Sequence, residues 1–197
     1  MLFTTGVAAM FLGFYGVFFN LEEWAARTGV GFRGDAPPPN APARGLQTAW
    51  LLAIMNLSSL VGRLGSSYLS DHFGAVNVHA VVASIAGGLC VLLWTFALTF
   101  SPALAFVILF GAFSGALIGL PPASVAAILG PEHEAQAKLG QWTGMMYSLA
   151  AVPALVGPVI GGHLISRYGY LALQVFCGAC ILPVSYTHLT LPTIYSV

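Results

Sequence analysis

Arg63 is the ionisable residue that lies well inside a long apolar stretch, residues 46 to 69. A guanidinium near the centre of a membrane helix costs roughly 2.5 to 3.5 kcal/mol on insertion scales, and a charge kept there is by default a functional hypothesis. Spacings of three and four put Asn56, Ser59, Arg63, Ser66 or Ser67, and Ser70 on one helical face. That polar stripe is expected to border a watery cavity. A guanidinium fork matches a carboxylate, and low-dielectric walls strengthen the attraction, so the expected ligand is a small organic anion. The competing reading puts Arg63 near a helix end, with its head snorkelling to the headgroups.

Other reactive residues carry less. His163 at a helix end and His79 at the start of the third stretch could relay protons, but an interfacial side chain bonded to backbone or water explains either. Glu132, His133 and Glu134 lack a further ligand at helical spacing, so no metal is expected. Cys177 and Cys180 have the spacing of a redox pair without its strand-to-helix context, and packing explains them and Cys90. No paired acid and base or metal set falls within the apolar stretches. An enzyme is therefore not expected, and no cofactor is implied.

The elements that hold Arg63 follow from composition. Apolar residues make up 58% of the 197 residues and charged ones 6%, against roughly 25% charged in an ordinary soluble domain. Six acids and six bases cannot cover a soluble surface of this size, so the lipid bilayer is the expected solvent. The zero net charge gives no basic patch for nucleic acid. Spans of ~20 apolar residues are expected over about 2–20, 46–69, 76–98, 101–122, 140–163 and 169–183. The first has neither a basic leader nor a small-residue cleavage site, so it reads as a span and not a signal peptide. Residues 21–45, with Glu22, Glu23, Arg27, Arg33, Asp35 and Pro37 to Pro39, are expected to form an irregular aqueous loop.

Small residues mark close packing. Gly111, Gly115 and Gly119 recur every four residues, and Pro121 and Pro122 after them are expected to bend or break the helix. Gly157, Pro158 and Gly161 form a second, flexible seam. Sliding the chain on itself by 95 residues lays Leu60, Val61 and Gly62 on Leu155, Val156 and Gly157, and Gly74 on Gly169. Three crossings separate the copies, which is the pattern of two inverted three-helix repeats.

These residues resemble the major facilitator superfamily, and within it the fungal branch of the monocarboxylate transporters. The likeness spans residues 1 to about 183 and rests on Asn56 through Arg63, on Tyr68 through Gly74 with Asn77, and on the Gly157 to Gly162 run. It implies an all-α membrane protein of six transmembrane helices, the C-terminal half of a twelve-helix transporter whose other six-helix half is missing. By the match Arg63 takes the place of the substrate-carboxylate arginine, with Asn56 and Ser59 beside it. Asp71 and Gly74 take the place of a cytoplasmic latch, and Gly157, Pro158 and Gly161 that of the eleventh helix.

Transport of monocarboxylates or similar organic anions, coupled to protons, in the plasma membrane, is what the resemblance implies. Ser59 stands where animal members have an aspartate, and Ala75, Val76 and Asn77 replace the basic residues that often follow the latch glycine. Loop charge (Arg27, Arg33, Arg44) favours a cytoplasmic 21–45 segment, whereas the resemblance puts the Asp71 loop on that side and is preferred. A sensor that binds without transporting is the alternative. Residues 184–197 resemble a translated sequencing adapter and are expected to be a non-native tail.

Overall fold

The computed structural model describes residues 2–34 and 46–185. The chain is built of helices: α1 (Leu2–Thr28), α2 (Thr48–Phe73), α3 (Ala75–Gly88), α4 (Phe100–Leu129), the short α5 (His133–Ala137), α6 (Leu139–Tyr168) and α7 (Tyr170–Ile181). α3 continues as a π-helical segment, Leu89–Trp94. The connection after α1 contains β1 (Gly31–Phe32), which pairs in parallel with β2 (Leu46–Gln47).

Four segments are long and apolar enough to cross a bilayer: Phe3–Thr28, Ala75–Trp94, Phe100–Leu129 and Leu139–Tyr168. α2 has the length, at 26 residues, but its polar stripe lowers its hydropathy. α7 has 12 residues, fewer than the ~20 a span needs. The chain is thus an all-α membrane protein, in which helices satisfy backbone polar groups internally.

Several boundaries differ from the sequence expectation. α1 runs through Glu22 and Glu23 to Thr28, so the first third of the expected irregular loop is helical. Helix propensity and the Arg27 to Glu23 pair one turn apart carry it past the end of the apolar run. Asp35, the Pro37 to Pro39 run and Arg44 lie outside the described residues. α4 passes through Pro121 and Pro122 without a break. α6 likewise contains Pro153 and Pro158, as membrane helices tolerate when neighbours stabilise the freed carbonyls. Val184 and Ser185 extend α7 helically, and Ser84 Oγ donates to Ser185 Oγ at 2.8 Å; the remainder of the expected tail lies outside the described residues.

Packing is set by which helices touch. α1 lies against α6 and α7, α2 against α4, and α3 against α4 and α7. Exchanging α1 with α4, α2 with α6 and α3 with α7 turns α1–α6 into α2–α4 and α1–α7 into α3–α4, and leaves α3–α7 as it is. Individual glycines follow the same exchange. A Cβ on Gly62 of α2 would collide with the Ala112 carbonyl of α4, and one on Gly157 of α6 with the Leu12 carbonyl of α1. Where α3 crosses α7, Gly87 and Gly178 face each other: a Cβ on Gly178 would lie 2.9 Å from the Gly87 carbonyl oxygen, and one on Gly87 3.2 Å from that of Gly178.

The interior is aromatic. Trp94 stacks on Phe106 at 5.2 Å, Phe106 on Phe110 at 5.3 Å and Phe110 on Phe14 at 6.5 Å, while Trp24 meets Trp94 edge-on at 5.8 Å. Gln174 Nε2 donates to the Trp94 carbonyl at 3.2 Å, tying α7 to the π-helical segment. In lipid such packing and interhelical hydrogen bonds, more than burial from water, hold helices together.

The turns between α2 and α3 and between α6 and α7 are single glycines. Gly74 has φ +84° and Gly169 φ +81°, and each donates its N–H back to the helix it ends, to Ser70 O at 2.9 Å and Ile165 O at 3.1 Å. A side chain is strained at such φ, by ~1–3 kcal/mol. Gly74→Val and Gly169→Val are each expected to lower the thermal unfolding midpoint of the detergent-solubilised protein, by similar amounts.

Candidate functional site

Arg63 projects from the middle of α2 onto a cavity of about 160 Å³. α1 contributes Phe14, Tyr15 and Phe18, α2 contributes Met55, Asn56, Ser59 and Arg63, and α4 contributes Ser114 and Ile118. Close α2–α4 packing creates this arrangement. A Cβ on Gly111 would lie 2.6 Å from the Met55 carbonyl oxygen, and one on Gly115 would strike that of Ser59, so neither position has room for a side chain. Gly119, the third of the series, lies beside the Arg63 stem, 3.8 Å from its Cγ, and leaves that stem space.

Three of the residues singled out from the sequence are therefore brought together: Arg63, Asn56 and Ser59 line one cavity. The lower part of the stripe, Ser66, Ser67 and Ser70, does not line it. Ser66 is buried, and its hydroxyl and that of Ser67 both donate to the Arg63 carbonyl, at 3.1 and 2.8 Å. Ser70 Oγ donates to Ser67 O at 2.8 Å. Within the cavity, Ser59 Oγ donates to Asn56 O at 2.7 Å and Asn56 Nδ2 to Leu52 O at 2.9 Å. Hydroxyls that bond back to their own helix satisfy themselves where no water competes. Among the described residues the Arg63 guanidinium forms neither an ion pair nor a hydrogen bond.

The ion pairs of the described residues lie elsewhere, at the end of α1. Arg27 Nε meets Glu23 at 2.5 Å, and Arg33 meets Glu22 at 3.1 Å and Glu23 at 2.8 Å. The hydrogen bond to Glu22 raises Arg33 further above its ordinary range. Thr48 Oγ1 donates to Glu22 at 3.3 Å and Tyr170 OH to the Glu23 carbonyl at 3.4 Å, so this exposed cluster joins α1 to the starts of α2 and α7.

The remaining residues singled out from the sequence stand apart from the cavity. Asp71 is exposed near the end of α2 and forms no ion pair among the described residues. Gly74 makes the turn beyond it. Gly157 is pressed on α1 at Leu12, Pro158 follows it within α6, and a Cβ on Gly161 would lie 2.8 Å from Asn20 Nδ2. His79 is fully buried against the edge of Phe3, because α3 begins at Ala75 and packs inward from its first turn. No group of three or more potential metal ligands exists among the described residues.

The aromatic wall of the cavity was missed by sequence reasoning. Phe14, Tyr15 and Phe18 are apolar residues in an apolar helix, and only the packing of α1 beside α2 and α4 distinguishes them from residues that face lipid.

Arg63 thus lines an interhelical cavity in a chain of apolar helices, with no ion pair among the described residues. Known proteins decide the kinship. The chain is 35% identical over 136 residues to the MFS transporter asaE of Aspergillus flavus, covering 68% of this chain and 30% of that protein. Its relatives are transporters of the major facilitator superfamily. An MFS-type transporter of Aspergillus fumigatus is 30% identical over 176 residues, 89% of this chain and 36% of its own length. The aspyridones efflux protein of Emericella nidulans is 34% identical over 134 residues, 68% of this chain and 26% of its own length. The chain thus spans about a third of the length of the curated relatives it matches. No protein-family model matches it, and no solved structure does. The relatives are transporters and not enzymes, and the chain is read in the same way.

Proposed function

We propose that this chain is the C-terminal six-helix half of a twelve-helix secondary transporter that moves small organic anions, monocarboxylates or acids like them, across the plasma membrane. The observation that carries the reading is the Arg63 guanidinium, without an ion pair among the described residues, beside Asn56 and Ser59 on a cavity between α1, α2 and α4. α2 and α7 complete six spans, α2 because a polar stripe is acceptable where it borders water and α7 because its helix continues beyond Ile181. The packing scheme that survives exchange of α1–α3 with α4, α6 and α7 supports two inverted three-helix repeats, the construction by which many carriers rock around a fixed site. Asp71 and Gly74 form the latch side of this half, and Gly157, Pro158 and Gly161 let α6 slide on α1.

Two relatives are efflux proteins, for aspyridones and for fujikurins, which favours outward movement of an organic product. The cavity lining holds no Asp, Glu or His. Proton coupling of the transport then runs through a group outside this lining. Reconstitution of the full-length protein tests the reading: labelled benzoate is expected to enter proteoliposomes faster than protein-free liposomes under the same imposed proton gradient, and Arg63→Gln is expected to remove the difference. Binding without faster entry would identify a sensor instead.

A further inference from the structure

We infer that the solute is an aromatic or extended conjugated carboxylate, selected over short aliphatic acids by Tyr15. This rests on the reading of Arg63 as an anion site and deepens it. One wall of the Arg63 cavity is Phe14, Tyr15 and Phe18, presented by α1. The rings support one another: Phe14 meets Tyr15 edge-on at 5.1 Å and Phe18 at 6.0 Å, and Phe14 is itself wedged on Phe110. Phe14 is buried, whereas Tyr15 and Phe18 keep part of their surface open.

Tyr15 is also the wall of a second, larger cavity of about 360 Å³, bounded by α1 and by Tyr147 and Leu155 of α6. Its hydroxyl forms no hydrogen bond among the described residues, while its ring is held in place by Phe11, Phe14 and Phe19. Tyr147 OH donates to the Ile118 carbonyl at 3.4 Å, and Ile118 lines the first cavity, so the two spaces share one framework.

The chemistry follows from this layout. A carboxylate on Arg63 leaves the rest of its molecule beside rings, with the Tyr15 hydroxyl as the polar group on that wall and the Ser59 and Ser114 hydroxyls bonded to their own helices. A flat apolar body gains contact with an aromatic wall, and a methyl group gains little. The Arg63 cavity is smaller than the roughly 300 to 1,000 Å³ of sites for drug-sized ligands; an extended body reaches past Tyr15 toward the second space.

Equilibrium dialysis of the purified full-length protein with 2-naphthoate and with acetate tests this. The wild type is expected to prefer 2-naphthoate, and Tyr15→Leu to weaken 2-naphthoate by roughly tenfold, on the scale of a lost ring contact, while acetate is unchanged and Tyr15→Phe behaves as wild type. If Tyr15→Leu does not elute as a folded species, Phe18→Leu takes its place. Equal effects on both acids, or none, overturn the aromatic selectivity and leave the anion site standing, provided Arg63→Gln weakens both. Binding of both acids untouched by Arg63→Gln overturns the anion site and, with it, this inference.

Discussion

Glutamine in place of Arg63, which is exposed in this chain, is expected to cut uptake of a labelled organic anion by roughly a hundredfold in the full-length protein, where the bound anion and the other half desolvate the pair. The loss is expected because the solute's carboxylate would find no other positive charge on this lining: Asn56, Ser59 and Ser114 offer only dipoles. Lysine at the same position keeps the charge but loses the planar fork, and an intermediate rate is expected. Stability should scarcely change, since Arg63 forms no ion pair among the described residues and its stem lies in open contact with Gly119. Uptake rate and unfolding midpoint, measured together, separate a lost ligand contact from a lost fold.

The second large effect is on assembly. Gly62→Val and Gly157→Val are each expected to destabilise the bundle by about 3 kcal/mol or more, at or beyond the upper end of ordinary overpacking. The new side chain meets backbone in both cases, the Ala112 carbonyl for Gly62 and the Leu12 carbonyl for Gly157, and a helix backbone cannot rotate aside as a side chain can. Gly65→Ala and Gly162→Ala are the controls. Nothing lies within 4 Å of a Cβ at either position, and an alanine inside a helix is favoured over glycine by ~0.5–1 kcal/mol. Fluorescence-detected size exclusion after a heating series gives all four midpoints. Similar losses at Gly62 and Gly157, and none at Gly65 and Gly162, are expected.

That pairing also shows how far the sequence could be read. The shift of 95 residues laid Gly62 on Gly157 and Gly74 on Gly169, and in the fold each pair does one job, close approach to a carbonyl in the first and a left-handed turn in the second. Glycine is legible because few other residues can do either. The membrane solvent was legible for a similar reason, since twelve charged side chains leave no alternative.

Other features were hidden. Glu22 and Glu23 read as loop, yet they sit on the last turns of α1, where local ion pairs and not hydropathy decide the helix end. Pro121 and Pro122 read as a bend or a break, and α4 carries them without a break. The stripe on α2 read as one face toward water running through Ser66 or Ser67; Ser67 is exposed and Ser66 buried, because neighbouring positions on a helix diverge by about 100°, and Ser59 is buried as well. The rings of Phe14, Tyr15 and Phe18 carried no signal, because an apolar residue looks the same in sequence whether it meets lipid, core or ligand.

Alkylation of a single cysteine beside the guanidinium tests the central claim most directly. Asn56 is exposed and lines the cavity with Arg63, while Cys90 and Cys177 are buried. In the full-length protein with Cys180 changed to serine, Asn56→Cys is expected to react with a charged, water-soluble thiol reagent. An aromatic carboxylate should slow that reaction, and adding Arg63→Gln should abolish the protection. A thiol that only membrane-soluble reagents reach, or one that no anion shields, would contradict the account.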